Sequence, residues 1–327
     1  MRNRICLVLP FFTGGGPMPP YANLFFETVA HNPGVDLFVL SDCGWYEPRS
    51  ANVTYVACTL ADVRERAQAL FGFEISLEAP YKLCDYKPAY GLMFSDYLSS
   101  YDFWGHCDMD MAFGDFGRFV TDEVLDSHDK VYQHGHLTLY RNTDTVNREF
   151  MSDYGMDYRK VYSTAVICVF DELEGVQRKF DHDGLRTYKG FDFLDIDPWK
   201  WHLSRTHSGV PQGLLAQGSG FDYEHECFSW DDGHLWRHAI AAGGGCLVED
   251  EFLYFHFQKR DFATPEEVIG SGSFWLANNG CVPKRGPAGI EDVDRYNAFS
   301  PLREAEAEIA RERFVWGRRF NKYVFHR

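Results

Sequence analysis

Apolar runs broken by glycine and proline give this chain its first outline. Residues 4–12 (RICLVLPFF) are continuously apolar, the pattern of a central strand covered on both faces. Tyr21 to His31 reads as a helix, stopped by Asn32-Pro33-Gly34. Val35 to Ser41 and Val53 to Cys58 read as two further strands, and Leu60 to Phe71 as an amphipathic helix. The β-α-β-β-α order predicts a doubly wound α/β unit, in which ligands sit at the carboxyl ends of the strands. Pro10, Phe11 and Asp42 fall at such ends.

Further on, Pro88 starts a predicted helix that runs to about Ser99. It feeds an aromatic run, Tyr101 to Cys107, that ends in Asp108-Met109-Asp110 and then turns at Gly114. Residues 131–140 and 165–170 are strand-like. Residues 181–217 are polar and aromatic without a clear period; they hold Trp199, Trp201, His202 and His207 and read as a variable, acceptor-shaping half. Phe228 to Gly244 reads as one short helix opened by Trp230-Asp231-Asp232 and closed by glycines. Phe252 to Phe257 is a strand that delivers His256, with Lys259 and Arg260 in the turn beyond. From Pro301 the chain reads as a helix. The whole is expected to be one domain over 1–300, with a nucleotide-binding half (1–115), an acceptor-shaping half (116–300) and a terminal helix (301–327).

Composition narrows the function. A formal charge of −16 argues against a nucleic-acid partner, which needs clustered positive charge. The 17% aromatic share suits a protein that stacks flat or sugar rings, and a phenylalanine-rich core accounts for it equally well. Nine cysteines without a C-x-x-C pair read as reduced, buried thiols of a cytoplasmic protein. The first apolar run is too short for a signal peptide, and none reaches the roughly 20 residues of a membrane span. Residues 311–327 hold six basic residues against one acidic, a net +5, interleaved with aromatics. That mix suits peripheral contact with an anionic membrane at its inner face, or docking on the chain's own acidic surface.

Two carboxylates one residue apart, Asp108 and Asp110, repel each other and are best tolerated around a cation. A capped turn after a strand is the plainer reading of the same residues. His256 offers an imidazole at another strand end. Oxygen ligands with one imidazole suit Mn2+ better than Mg2+. Lys82, Asp85 and Lys87 precede a predicted helix at the same sheet end and are either surface charge or donor contacts. His134 and His136 are read as one face of a sheet rather than a metal pair.

These pieces together resemble the GT-A class of nucleotide-sugar glycosyltransferases, inverting galactosyltransferases and bacterial polysaccharide or capsule transferases in particular. The resemblance rests on Pro10-Phe11-Phe12, Asp108-Met109-Asp110, Trp230-Asp231-Asp232 with Arg237 and Gly243, and His256 with Arg260-Asp261. It departs in having Asp-Asp where the class has Glu-Asp. It implies a GT-A α/β fold with a mostly parallel sheet and a UDP-sugar donor, UDP-Gal or UDP-Glc. The acceptor would be a saccharide or lipid-linked saccharide, and Mn2+ (or Mg2+) would be held by Asp108, Asp110 and His256. Pro10, Phe11, Asp42, Lys82, Asp85, Lys87, Asp108, Lys259 and Arg260 would line the donor. Asp232, or Asp231, would be the general base, with Trp199, Trp201 and Trp230 stacking on sugar. A retaining transferase, a metal-dependent phosphohydrolase and a non-catalytic carbohydrate binder are the competing readings.

Overall fold

A computed structural model describes residues 2–44, 50–206, 225–240, 245–260 and 262–325, with side chains up to Trp316 in the terminal helix. His207, Gly243, Asp261 and the side chains of Arg318, Arg319, Lys322 and Arg327 lie outside the described residues. The fold is mixed α/β, with a large, mostly parallel sheet flanked by helices and a C-terminal helix, as expected. The chain forms two compact units. The first comprises residues 1–22, 26–109 and 116–191; the second comprises 23–25, 110–115 and 192–327. The main change of unit falls at 191–192, and a short excursion begins at Asp110.

The first unit is built on a seven-stranded sheet. Its strands are β1 (Ile5–Phe11), β2 (Val35–Ser41), β3 (Val53–Ala57), β4 (Phe103–Cys107), β6 (Lys130–His134), β7 (Leu137–Arg141) and β8 (Thr187–Tyr188), in the order β3-β2-β1-β4-β7-β6-β8. β3, β2, β1 and β4 are mutually parallel, and β7 turns antiparallel to β4. The apolar run of β1 is central and buried, as its pattern requires. Helix α1 (Ala22–Ala30) and helix α2 (Leu60–Gln68) follow the predicted spans. Thr59 and Asp62 close a reciprocal cap on α2.

The helix expected from Pro88 is instead a run of short α and 3-10 turns from Pro80 to Leu98. Pro88 lacks an N–H and Gly91 sits mid-run. A Cβ on Gly91 would lie 2.5 Å from the Trp104 indole, so glycine there lets the turn rest on the ring. Residues 165–170 are not a strand. The aromatic content goes largely into the core: Trp104 stacks on Tyr140 at 4.4 Å and Tyr86 on Tyr162 at 4.3 Å, all buried.

Lys130 on β6 is fully buried, and its ammonium donates to Gln177 Oε1 at 2.7 Å. Burial pulls its pKa down to about 7, against the pull of Glu172 and Asp181. Above that pH the folded protein sheds a proton that the unfolded chain keeps to about 10.4. Stability therefore rises with pH from about 7 upward, by at most about 1.4 kcal/mol per unit. Urea midpoints at pH 6.5 and 8.5 should show this rise, and Lys130→Met should flatten it.

The second unit holds two sheets. β10 (Glu226–Asp231), β11 (His234–Ile240), β12 (Leu247–Phe252), β14 (Ser273–Ala277) and β15 (Gly280–Pro283) form an antiparallel sheet in the order β12-β11-β10-β14-β15. β5 (Met111–Phe113), β13 (Tyr254–His256) and β9 (Phe193–Asp195) form a small sheet with β13 in the middle. The terminal helix spans Pro301–Phe325. Among the described residues no helix is long and apolar enough to cross a membrane.

The predicted helix over Phe228–Gly244 is overturned: β10 and β11 make a two-residue hairpin, with Asp231 paired to His234. Asp232 and Gly233 form its turn at φ +46° and +93°, the primed geometry that an Asp-Gly dipeptide favours. Leu235, Arg237 and Ala239 are buried along β11, as is His238 between them, so a period of two lay only partly visible under the helical spacing. Gly233→Ala should cost about 1 kcal/mol by chemical denaturation, because alanine disfavours that φ.

Candidate functional site

His256 ends β13, the middle strand of the small sheet, and both neighbours contribute a carboxylate. β9 runs parallel and puts Asp195 in register with it. β5 runs antiparallel, with Met111 opposite His256 and Asp110 just before the strand. Asp110 Oδ1 lies 3.4 Å from His256 Nε2, and Asp195 Oδ1 lies 2.8 Å from Nδ1. The ring is held between two carboxylates on three adjacent strands. Backbone bonds pin the corner: Phe257 N donates to Asp110 O at 3.1 Å and Ile196 N to His256 O at 3.0 Å.

Burial opposes charge on this ring, yet Asp110 and then Asp195 outweigh it and raise its pKa to about 10. The Asp110 and His256 atoms are spaced nearly as cis ligands of an octahedral divalent ion would be, about 3 Å apart. The donor set therefore fits Mn2+, an oxygen-and-imidazole cation, with Asp110 and His256 as ligands. Asp195 was not found in the sequence. It ends a three-residue strand inside the stretch without a period, and only its place beside β13 gives it a role. Gln258 and Thr206, which donate to it, were missed for the same reason.

Asp108 lies in the first unit, two residues before Asp110, in the turn after β4 and not on an extended strand. The Lys87 ammonium donates to Asp108 Oδ1 at 2.7 Å and to the Gly135 carbonyl at 2.8 Å. It also stands 3.3 Å from Asp171. Burial would strip the proton from Lys87, but Asp108 and Asp171 keep its pKa well above the usual lysine value. Burial pushes the Asp171 carboxyl up to about 7, Lys87 resisting. Lys87 is a buried bridge between two carboxylates, and Asp171 is a second residue the sequence did not reveal. His134 and His136 flank the tip of the β6–β7 hairpin and their rings stack at 5.3 Å.

Other expected donor residues have partners within the protein. Lys82 and Asp85 are buried and paired at 2.7 Å. Lys82 also donates to the carbonyls of Val161 and Val166, and Asp85 accepts the amides of Cys168 and Phe170. They are buried and are not surface charge. Asp42 accepts the amides of Thr13 and Gly14 and so shapes the glycine loop after β1. Pro10 and Phe11 are half-buried at the end of β1, with Phe11 O bound by Ser41 Oγ at 2.6 Å. The Arg260 guanidinium is spent on the carbonyls of Asp197, Lys200 and Trp201. Lys259 beside it is exposed, 6.0 Å from the Trp199 ring.

Trp230 is fully buried, stacked on Phe274 and bonded to the Phe113 carbonyl at 2.7 Å, so it cannot stack on a sugar. Trp199 packs on Phe314, and Arg303 lies over Trp201. Asp231 accepts from Ser229 at 2.8 Å, Lys284 at 2.7 Å and Ser273. Burial raises its pKa, but Lys284 and the serines prevail and lower it, which makes Asp231 a poor proton acceptor. Asp232 is exposed on the hairpin turn.

Residues 7–285 match a family described as a family of unknown function, DUF6625. No curated protein matches the sequence. Among solved structures, the galactosyltransferase LgtC in complex with donor and acceptor sugar analogs is similar at 9% identity, over 57% of this chain and 73% of that one, with a TM-score of 0.32. The glycosyltransferase GlyE of Streptococcus pneumoniae TIGR4 is similar at 9% identity, over 93% of this chain and 62% of that one, with a TM-score of 0.36. Likenesses this slight fix neither ancestry nor activity.

Proposed function

We propose, for a chain that belongs to the DUF6625 family, a metal-dependent glycosyl transfer: a hexose moves from a nucleotide-diphosphate sugar, UDP-Gal or UDP-Glc, to a saccharide or lipid-linked saccharide. The observation that carries this reading is the Asp110–His256 pair, a carboxylate and a buried imidazole meeting at the end of β13. It stands beside an Asp-x-Asp sequence in an α/β protein. In this reading Asp110 and His256 hold Mn2+ or Mg2+. Asp108, two residues earlier, is already neutralised by Lys87. A cation bound there would supply positive charge to the diphosphate as the sugar leaves.

Lys259, exposed in the turn after β13, adds charge to the same leaving group. Arg260 is left out of this reading, because its Nη1 and Nη2 groups bond the carbonyls of Asp197, Lys200 and Trp201. Asp232 is the base in an inverting transfer, and Asp231 anchors its hairpin. Asp232→Asn should then slow transfer about 10²–10⁴-fold without changing Mn2+ binding. If the product keeps the anomeric configuration of the donor by NMR, the transfer is retaining and Asp232 has no such role.

The deciding experiment screens UDP-, GDP- and CMP-sugars with Mn2+, reading thermal shift and donor hydrolysis. Stabilisation by one nucleotide only in the presence of Mn2+ supports the transferase. No stabilisation by any of them sinks it. Peripheral contact with an anionic membrane belongs to the same reading: Leu302, Ile309 and Trp316 recur every seventh residue on the terminal helix and are 70%, 53% and 63% exposed. Phosphatidylglycerol vesicles should co-sediment the full chain and release it in high salt.

A further inference from the structure

We infer that Asp195 is a positioning residue: it grips the Nδ1–H of His256 and so commits Nε2 to the cation. The inference rests on the metal reading above and adds a residue to it. Three observations within the small sheet carry it.

The first is geometry. Imidazole has two nitrogens on opposite sides of a rigid ring, and a neutral ring can donate from only one of them. In this site each nitrogen faces its own carboxylate, Asp195 at 2.8 Å from Nδ1 and Asp110 at 3.4 Å from Nε2. The shorter contact is a full hydrogen bond. The longer one leaves room for an ion to be shared. A proton fixed on Nδ1 leaves the Nε2 lone pair facing Asp110, and that is the tautomer a metal ligand needs.

The second is how firmly Asp195 is held. Its Oδ1 also accepts from Gln258 Nε2 at 2.6 Å, and its Oδ2 from Thr206 Oγ1 at 2.7 Å. Its backbone carbonyl accepts Thr206 N at 2.6 Å. A carboxylate holding three side-chain donors is oriented before any ligand arrives. It is also poorly placed to turn an oxygen toward the ion. Asp110, the other carboxylate, is the one on the Nε2 side.

The third is the backbone. Asp195 and His256 are partners in register on parallel strands, and Ile196 N donates to His256 O at 3.0 Å. The carboxylate and the ring are therefore fixed by the same ladder, so their relation does not depend on a loop. Gln258 sits two residues after His256, in the turn that leaves β13, and closes the arrangement from the other side.

The test uses the full chain and Mn2+ alone, so it does not depend on any donor sugar. Free Mn2+ is followed by electron paramagnetic resonance, and bound Mn2+ by the 14N modulation that a directly coordinated imidazole gives in the spin echo. The unaltered protein should bind one Mn2+ with imidazole modulation. Asp195→Asn should still bind, but about 10–100-fold more weakly, as loss of an outer partner does, and with reduced modulation. Asp110→Asn should lose the site. Thr206→Val, which removes one donor to Asp195 and leaves the carboxylate, should weaken binding by a few-fold and serves if Asp195→Asn folds poorly. Unchanged affinity and modulation in both variants would overturn the positioning role. So would Asp195→Asn losing the site as fully as Asp110→Asn, which would make Asp195 a direct ligand. If the unaltered protein binds no Mn2+, the metal reading itself has failed.

Discussion

Asp110→Asn should reduce donor turnover by about 10³-fold or more and abolish the stabilisation that Mn2+ and a nucleotide give together. The magnitude follows from what one carboxylate does in this site. It is the oxygen donor that faces His256 Nε2. Without it the Nε2 side of the imidazole loses that carboxylate. Asparagine keeps the size and one oxygen, so the fold should stand: Asp110 sits in a turn, and its backbone carbonyl, which accepts from Phe257 N, is untouched. Circular dichroism should therefore be unchanged while the Mn2+-dependent thermal shift disappears. Normal turnover in this variant would remove the cation from the mechanism.

The second large effect concerns stability. Asp85→Ala should cost about 3–5 kcal/mol, because it strands the buried Lys82 ammonium without its charge partner. It also leaves the amides of Cys168 and Phe170 without their acceptor. These donors come from a stretch with no regular structure, and Asp85 is what fastens that stretch to the start of the helical run. Urea denaturation would measure the loss. Replacing both partners, Lys82→Met with Asp85→Leu, should cost less than Asp85→Ala alone, since no buried charge then remains unpaired. Below the midpoint, nucleotide binding should be normal in both variants. A variant that is fully stable but loses nucleotide would return Asp85 to the donor site.

Local pattern made much of the first unit legible. Short apolar runs bounded by turn residues read as strands, so β1, β2 and β3 were found within a residue or two. His256 was found as well, because an apolar strand delivers its last residue to an edge. The hairpin at Asp231–His234 was missed because Leu235, Trp236, Ala239 and Ile240 satisfy a helical spacing as well as an alternating one. The Asp-Gly pair between them was the available signal, since that dipeptide accepts positive φ at two successive residues.

Charged residues were the hardest to read. Lys82, Asp85, Lys87, Asp231 and Arg260 look alike in sequence, as polar groups near strand or helix ends. Whether each meets solvent, a ligand or another buried group depends on what the chain brings beside it. Lys82 meets residues 161 and 166, and Arg260 meets 197 and 200. Trp230 was misjudged in the same way, since an aromatic ring serves a core and a sugar equally well until its neighbours are known.

The sequence by itself determined the α/β class and the parallel strands, and it placed His256 at the end of a strand. Local periodicity and turn chemistry act over a few residues and can be read along the chain. Tertiary structure alone decided that Asp195 stands on the far side of the His256 ring, that Lys87 ties Asp108 to Asp171, and that Lys82 and Asp85 pair in the interior. Those facts depend on which strands lie side by side. β9, β13 and β5 are adjacent in space although long stretches of chain separate them, and strand order leaves no local trace in the sequence.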